Sequence, residues 1–163
     1  MKAEARTTLE NGHAPDAIDR RILGLLQENA KTSQAAVAKA VGLTAPSVNE
    51  RIKKLEQAGF IRGYVALLDD RKLGQDITAF VEVFVEHPRY ERAFIAAVED
   101  LTEVLECHHI TGEFSLLLKV RVADMTEFRR LLIEKLNTLR GVRQTRTVMV
   151  LATAKEEHKI RVD

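Results

Sequence analysis

One cysteine, Cys107, stands alone in 163 residues, so no disulfide can form within the chain, and a reducing cytoplasm is the expected setting. Apolar runs are short. None approaches the roughly 18 continuous residues that a membrane helix requires. Residues 1–15, MKAEARTTLENGHAP, hold no apolar stretch of the kind a secretory signal uses and no periodicity, and they read as a flexible arm. Neither GxxxxGK[ST], GxGxxG after a strand, GxSxG nor HExxH occurs. Cys107-His108-His109 is the one metal-like run. Neighbours on a strand point to opposite faces, which leaves only Cys107 and His109 on one side, and two ligands do not make a zinc site.

Charge is nearly balanced overall, at +1, but is unevenly spread. Residues 1–63 carry 10 Lys and Arg against 7 Asp and Glu, while residues 64–163 carry 15 against 17. A mildly basic first part joined to a mildly acidic second part fits a nucleic-acid module fused to something else.

Asp16 is placed to cap a helix whose stripe is Ile18, Ile22, Leu25 and Leu26. Ser33 caps a second, with Val37, Ala38 and Val41 inward, and Gly42 closes it. Leu43 plugs the turn. Thr44 caps a third helix over 45–58, with Pro46 in its first turn and Val48, Ile52 and Leu55 as its inner stripe. Gly59 ends it. Residues 60–68, FIRGYVALL, are strand-like in composition, and the polar run 69–76 marks a boundary. Beyond it, Ile77, Ala79, Val81, Val83 and Val85 alternate along a strand whose other face holds Phe80 and Phe84. A helix follows with Phe94, Ile95, Val98 and Leu101. Strands come next over 104–110 and 114–122, then a helix capped by Asp124 with Phe128, Leu131, Leu132, Leu136 and Leu139 inward. Gly141 closes that helix, and residues 142–151 form the last strand. The order β-α-β-β-α-β is the ferredoxin-like arrangement, so the fold class is α+β. The expected division is an arm at 1–15, a helix-turn-helix domain at 16–63, a linker strand and hinge at 64–76, a sensing and oligomerising domain at 77–155 and a tail at 156–163.

The segment 33–61 reads SQAAVAKAVGLTAPSVNERIKKLEQAGFI. A small-residue helix, a tight Gly-Leu-Thr turn and a second helix with polar outward residues is what a reader of the DNA major groove requires, the groove being about 12 Å wide. Candidate DNA contacts are Ser33, Thr44, Ala45, Pro46, Ser47, Asn49, Glu50, Arg51, Lys53 and Lys54. Asn49 suits adenine, Glu50 can accept from a cytosine amine, and Ser47 can reach a base or a phosphate. Arg51, Lys53 and Lys54 suit phosphates, which position the protein without reading sequence.

With these blocks in place, the chain resembles the Lrp/AsnC, or feast/famine, family of transcriptional regulators. The resemblance runs from Asp16 to about Lys155 and is carried by DAIDRRILGLLQENAKTS, VAKAVGLTAPSVNERIKKLEQAGFIRGYVALLDDRKLG, LECHHITGEFSLLLKVRVADMTEFRRLL and LRGVRQTRTVMVLATAK. It implies a winged-helix-like DNA-binding domain followed by a βαββαβ ligand-sensing domain. Members dimerise through their C-terminal sheets and often build octamers or open arrays. They bind double-stranded DNA, need no cofactor, and respond to an amino acid or related small molecule held between dimers. The loop implied in that pocket is Thr111, Gly112, Glu113, Phe114 and Ser115. Many members have Asp where this chain has Ser115. An aspartate would meet a ligand ammonium with an opposite charge, whereas Ser115 can donate and accept but brings no charge. Glu113 or a neighbouring subunit is the alternative source of that charge. Sirohaem decarboxylases also resemble this scaffold, so an enzyme is the competing reading, with His108, His109, Arg121 and Arg146 as its carboxylate-binding residues.

Overall fold

The computed structural model describes residues 14–162, and the arm expected over residues 1–15 lies, up to residue 13, outside the described residues. The chain divides into two compact units. The first comprises residues up to 67 together with the segment from 156 onward, and the second comprises residues 68–155.

Three helices make the first unit: α1 (Ala17–Glu28), α2 (Gln34–Val41) and α3 (Ala45–Gln57). Each begins on the side-chain cap its sequence provides. Asp16, Ser33 and Thr44 accept from the backbone N–H groups of Asp19, Ala36 and Ser47. Such a cap is worth about 1 kcal/mol over alanine. Gly42, at φ 72°, closes α2 in the left-handed region that β-carbons disfavour. Ile22, Val37, Ala38, Val48, Ile52 and Leu55 form the core, one or more from every helix.

The second unit is a four-stranded antiparallel sheet in the order β2-β3-β1-β4, with β1 (Ile77–Val85), β2 (Val104–His109), β3 (Leu116–Val122) and β4 (Val142–Met149). Helices α4 (Pro88–Glu99) and α5 (Met125–Arg130) supply the crossovers. Ala79, Val81, Val83 and Val85 of β1 meet Leu116, Leu118 and Val120 of β3, and Phe94, Val98, Phe128, Leu131 and Leu136 close the core over them. The strand positions in that core are one row of the alternation, so both helices pack on the same sheet face. The opposite row holds Phe80, Glu82 and Phe84 on β1, Leu117 and Lys119 on β3, and Arg146 and Val148 on β4.

Three local expectations are corrected. Residues 60–68 form no strand; Tyr64, Val65, Leu67 and Leu68 lie exposed, with Val65 at 84%. Strand composition alone does not make a strand, because the ladder needs a second chain segment alongside, and none of the described residues supplies one. Within the hinge expected at 64–76, the regular structure is a single 3₁₀ turn, Arg71–Leu73. Third, the helix begun at Met125 does not run evenly to Leu139. It widens over Leu131–Leu136, where the Asn137 N–H reaches back five residues to the Leu132 carbonyl at 2.9 Å. Strand ends also move: β3 begins at Leu116, leaving Phe114 and Ser115 in the preceding turn, and β4 ends at Met149.

Candidate nucleic-acid interface and sensing loop

The outward side of α3 is built from the positions that its core residues leave over. With Val48, Ile52 and Leu55 buried, Pro46, Ser47, Glu50, Lys53 and Lys54 are exposed and Asn49 is half-buried. The start of the helix is preorganised. Thr44 and Ser47 share a hydroxyl contact at 2.9 Å, and the Ser47 N–H donates to Thr44 Oγ1 at 3.3 Å. Asn49 is aimed by α2: Gln34 Nε2 donates to Asn49 Oδ1 at 3.0 Å, which leaves the Asn49 amide nitrogen to donate elsewhere. Lys54 pairs with Glu50 at 2.8 Å along one face of the helix, and this holds the Glu50 carboxyl below its usual range. Ser33 and Thr44 sit at the N-termini of α2 and α3, and Ala45 and Pro46 fill the first turn of α3.

Arg51, expected as a phosphate contact, is also engaged within the first unit. Its Nη1 donates to Asp19 Oδ1 and to Asp16 Oδ2, both at 2.8 Å. Those two carboxylates already form a reciprocal cap. The Asp19 N–H donates to Asp16 Oδ1 at 2.8 Å, and the Asp16 N–H donates to Asp19 Oδ2 at 3.1 Å. Asp19 is 2% exposed and is the buried charge of this unit among the described residues. The pair raises the Arg51 pKa, through Asp19 first and Asp16 second. Asp16 is held low, chiefly by the Asp19 N–H and then by Arg51. Arg51 thus ties α3 to the start of α1. Its position on the outward-flanking side of α3 was legible; the partner, 32 residues away, was not.

In the second unit, the turn between β2 and β3 contains Thr111, Gly112, Glu113, Phe114 and Ser115. Thr111, Gly112 and Glu113 are exposed, and Gly112 has φ 121°, with nothing within 4 Å of the place a β-carbon on it would take. Phe114 is buried, and the Arg146 guanidinium lies over its ring at 4.9 Å from the centroid. Arg146 also pairs with Glu82, keeping that carboxyl low, and feels the charge of Glu113. The backbone of Ser115 is fully engaged: its N–H donates to the Val83 carbonyl at 3.2 Å and its carbonyl accepts from Ile110 at 3.0 Å. Its hydroxyl is not. Ser115 Oγ is buried and has no hydrogen-bond partner among the described residues. An unmet buried hydroxyl costs on the order of 1–3 kcal/mol.

His108 and Glu106 pair at 3.0 Å on β2, and Glu106 also accepts from Lys119 at 3.3 Å. Cys107, opposite Leu118, is half-buried against the core, and burial pushes its thiol pKa up. No group of three or more His, Cys, Asp or Glu able to hold a metal is present among the described residues. Nor is any described helix long and apolar enough to cross a membrane.

Comparison with known proteins gives two family matches. Residues 15–62 match the model of a winged helix-turn-helix DNA-binding domain, and residues 78–160 match that of the Lrp/AsnC ligand binding domain. The leucine-responsive regulatory protein of Salmonella typhimurium is 42% identical over 147 residues, which cover 89% of this chain and 90% of that protein. Its counterpart in Escherichia coli is 41% identical over the same length. Among solved structures, a Neisseria meningitidis transcriptional regulator in complex with L-Met superposes with a TM-score of 0.86 at 30% identity, covering 92% of this chain and 98% of that one. AsnC of Escherichia coli gives 0.84 at 29% identity, covering 90% and 99%. These relatives are regulators and lend no support to a sirohaem decarboxylase reading.

Proposed function

The chain belongs to the Lrp/AsnC family of transcriptional regulators, and we propose that it reads operator DNA with α3 and alters that binding when an amino acid occupies the loop 111–115. The observation that carries the reading half is the preorganised outward side of α3. Asn49 is oriented by Gln34 with its amide N–H groups left to donate, and Ser47 is held at the capped end. Asn49, Ser47 and Glu50 then meet base edges, and Lys53 and Lys54 meet phosphates. Arg51 serves as the brace beneath them.

The sensing half rests on Ser115. Its buried, unmatched hydroxyl lies in the turn next in sequence to Phe114, whose ring the Arg146 guanidinium covers, and an amino-acid ligand offers both donors and acceptors to meet it. The relatives respond to leucine or bind L-Met by their names, so an apolar amino acid is the first candidate. The ammonium partner is Glu113 or a residue of a second copy. Function is by binding, without a cofactor and without catalysis, in the cytoplasm where the DNA is. The chain works as a homo-oligomer, a dimer at least, joined through the helix-free sheet face bearing Phe80, Phe84, Leu117 and Val148.

A gel shift with DNA from upstream of the protein's own gene tests the reading half. Salt-sensitive, competitor-resistant binding is expected, and its absence up to micromolar protein would overturn it. A thermal-shift screen of the amino acids tests the sensing half, since a ligand that binds only the native state raises its apparent stability by mass action.

A further inference from the structure

Residues 159–162 do not trail away from the first unit; they seat on α1. Gln27 grips the backbone of Ile160 with both ends of its amide. The Ile160 N–H donates to Gln27 Oε1 at 2.8 Å, and Gln27 Nε2 donates to the Ile160 carbonyl at 3.0 Å. This is the two-bond exchange that paired strand residues make, with a side-chain amide standing in for one strand. One residue earlier, Lys159 Nζ holds the Glu28 carboxylate at 3.0 and 3.2 Å. Two residues later, Val162 lies over the helix, its Cγ2 at 3.7 Å from where a β-carbon on Gly24 would stand. Positions 24, 27 and 28 are spaced i, i+3, i+4 and so share one face of α1. The Ile160 side chain itself is 74% exposed, so the grip is on main chain.

We infer that Gly24, Gln27 and Glu28 form a docking site for an extended peptide segment, and that its occupant is residues 159–162 of the same chain. The segment belongs to the second of the two places where the chain passes between the units, at residues 155–156, the other being at residues 67–68. A unit held at both ends has fewer accessible orientations than one held by a single linker. The docked segment thereby carries changes at the end of β4 to α1, a coupling that rests on the effector-gated reading above.

Full-length protein carrying Gly24→Cys, Val162→Cys and Cys107→Ser, mildly oxidised and run on a denaturing gel without reductant, tests the docking. The expected product is a faster-migrating monomer closed by an intrachain disulfide. A disulfide-linked dimer would place the segment on another copy and overturn the assignment to the same chain. No cross-link at all would overturn the site. Gln27→Ala gives an independent check by hydrogen exchange. The Ile160 amide is expected to be protected in the unmodified chain and to lose that protection at least tenfold in the variant, while α1 keeps its own. An Ile160 amide unprotected from the start, or protected equally in both, contradicts the docking. The coupling is tested by truncation after Lys155. The effector-induced change in DNA affinity should shrink several-fold, with effector binding unchanged by thermal shift. A full response in the truncated chain would overturn it. Failure of full-length protein to bind DNA would count against the regulator reading alone, since the cross-link and exchange results do not depend on it.

Discussion

In the sequence, Arg51, Lys53 and Lys54 look alike, three cations on a helix that faces DNA. The structure separates them. Replacing Arg51 with Ala removes the Arg51 guanidinium from the buried Asp19 carboxylate, at an expected cost on the order of 1–3 kcal/mol. A lower thermal midpoint should report it, and Arg51→Lys should recover only part, because one ammonium does not reproduce the guanidinium geometry. Lys53→Ala, by contrast, should leave stability within about 0.5 kcal/mol and reduce the salt slope of DNA binding by about 1. Equal effects of the two substitutions on both readouts would show that the distinction is wrong. Helical spacing identifies which face a residue occupies, and this much of the interface was legible. It does not identify a partner on another helix, which is why the brace went unseen. The same limit applies to Ser115: its lack of charge was plain in the sequence, its unmatched hydroxyl was not. If that hydroxyl meets the effector, Ser115→Ala should weaken effector binding about tenfold, or about 1.4 kcal/mol, by titration calorimetry.

Elements were legible where their information is local. Caps at Asp16, Ser33 and Thr44 and the alternation along β1 and β3 mark their elements within a few residues. Residues 60–68 show the opposite case, since pairing depends on a segment far away in sequence or in another molecule. Gly141, read as a helix stop, has a second duty. At φ 90° it also lies beneath Tyr90, and a β-carbon there would stand 2.6 Å from the Tyr90 ring. Tyr90 packs against the core of this unit, with Arg89 and Arg140 over its ring at 4.6 and 5.0 Å. Gly141→Ala should therefore destabilise the sensing unit by about 1–3 kcal/mol, seen by denaturant unfolding, where Gly74→Ala meets no such neighbour. From the widened helix, Lys135 pairs with Glu103, just before β2, and holds its carboxyl below the usual range. A lowered folded-state pKa means stability that is present above the unfolded value, about 4.3, and is lost as pH falls through the folded one. Glu103→Gln should accordingly lose less stability than the unmodified chain between about pH 5 and pH 3. Parallel acid profiles of thermal midpoint would argue against this pair as a contributor.

For the whole molecule, the two-part architecture was legible because the first part keeps to a period of 3.6 while the second alternates stretches of period 2 with stretches of 3.6. What was not legible is which surfaces answer to each other. The helix-free sheet face intersperses Phe80, Phe84, Leu117 and Val148 with the Glu82–Arg146 and Glu106–Lys119 pairs, Glu82 lying between the two phenylalanines and opposite Leu117. Light scattering should find at least a dimer, and Val148→Glu, placing a charge at the row between Phe80 and the sheet edge, should shift it toward monomer. A monomeric unmodified chain would refute the assembly. The return of residues 159–162 to α1 bears on synthesis as well as on coupling. Translation delivers α1 first and the residues that Gln27 and Glu28 grip only after the entire sensing unit. A nascent chain on the ribosome thus has its three helices early but finishes the surface of α1 late, so the complete DNA-reading unit exists only in molecules that already carry their sensor.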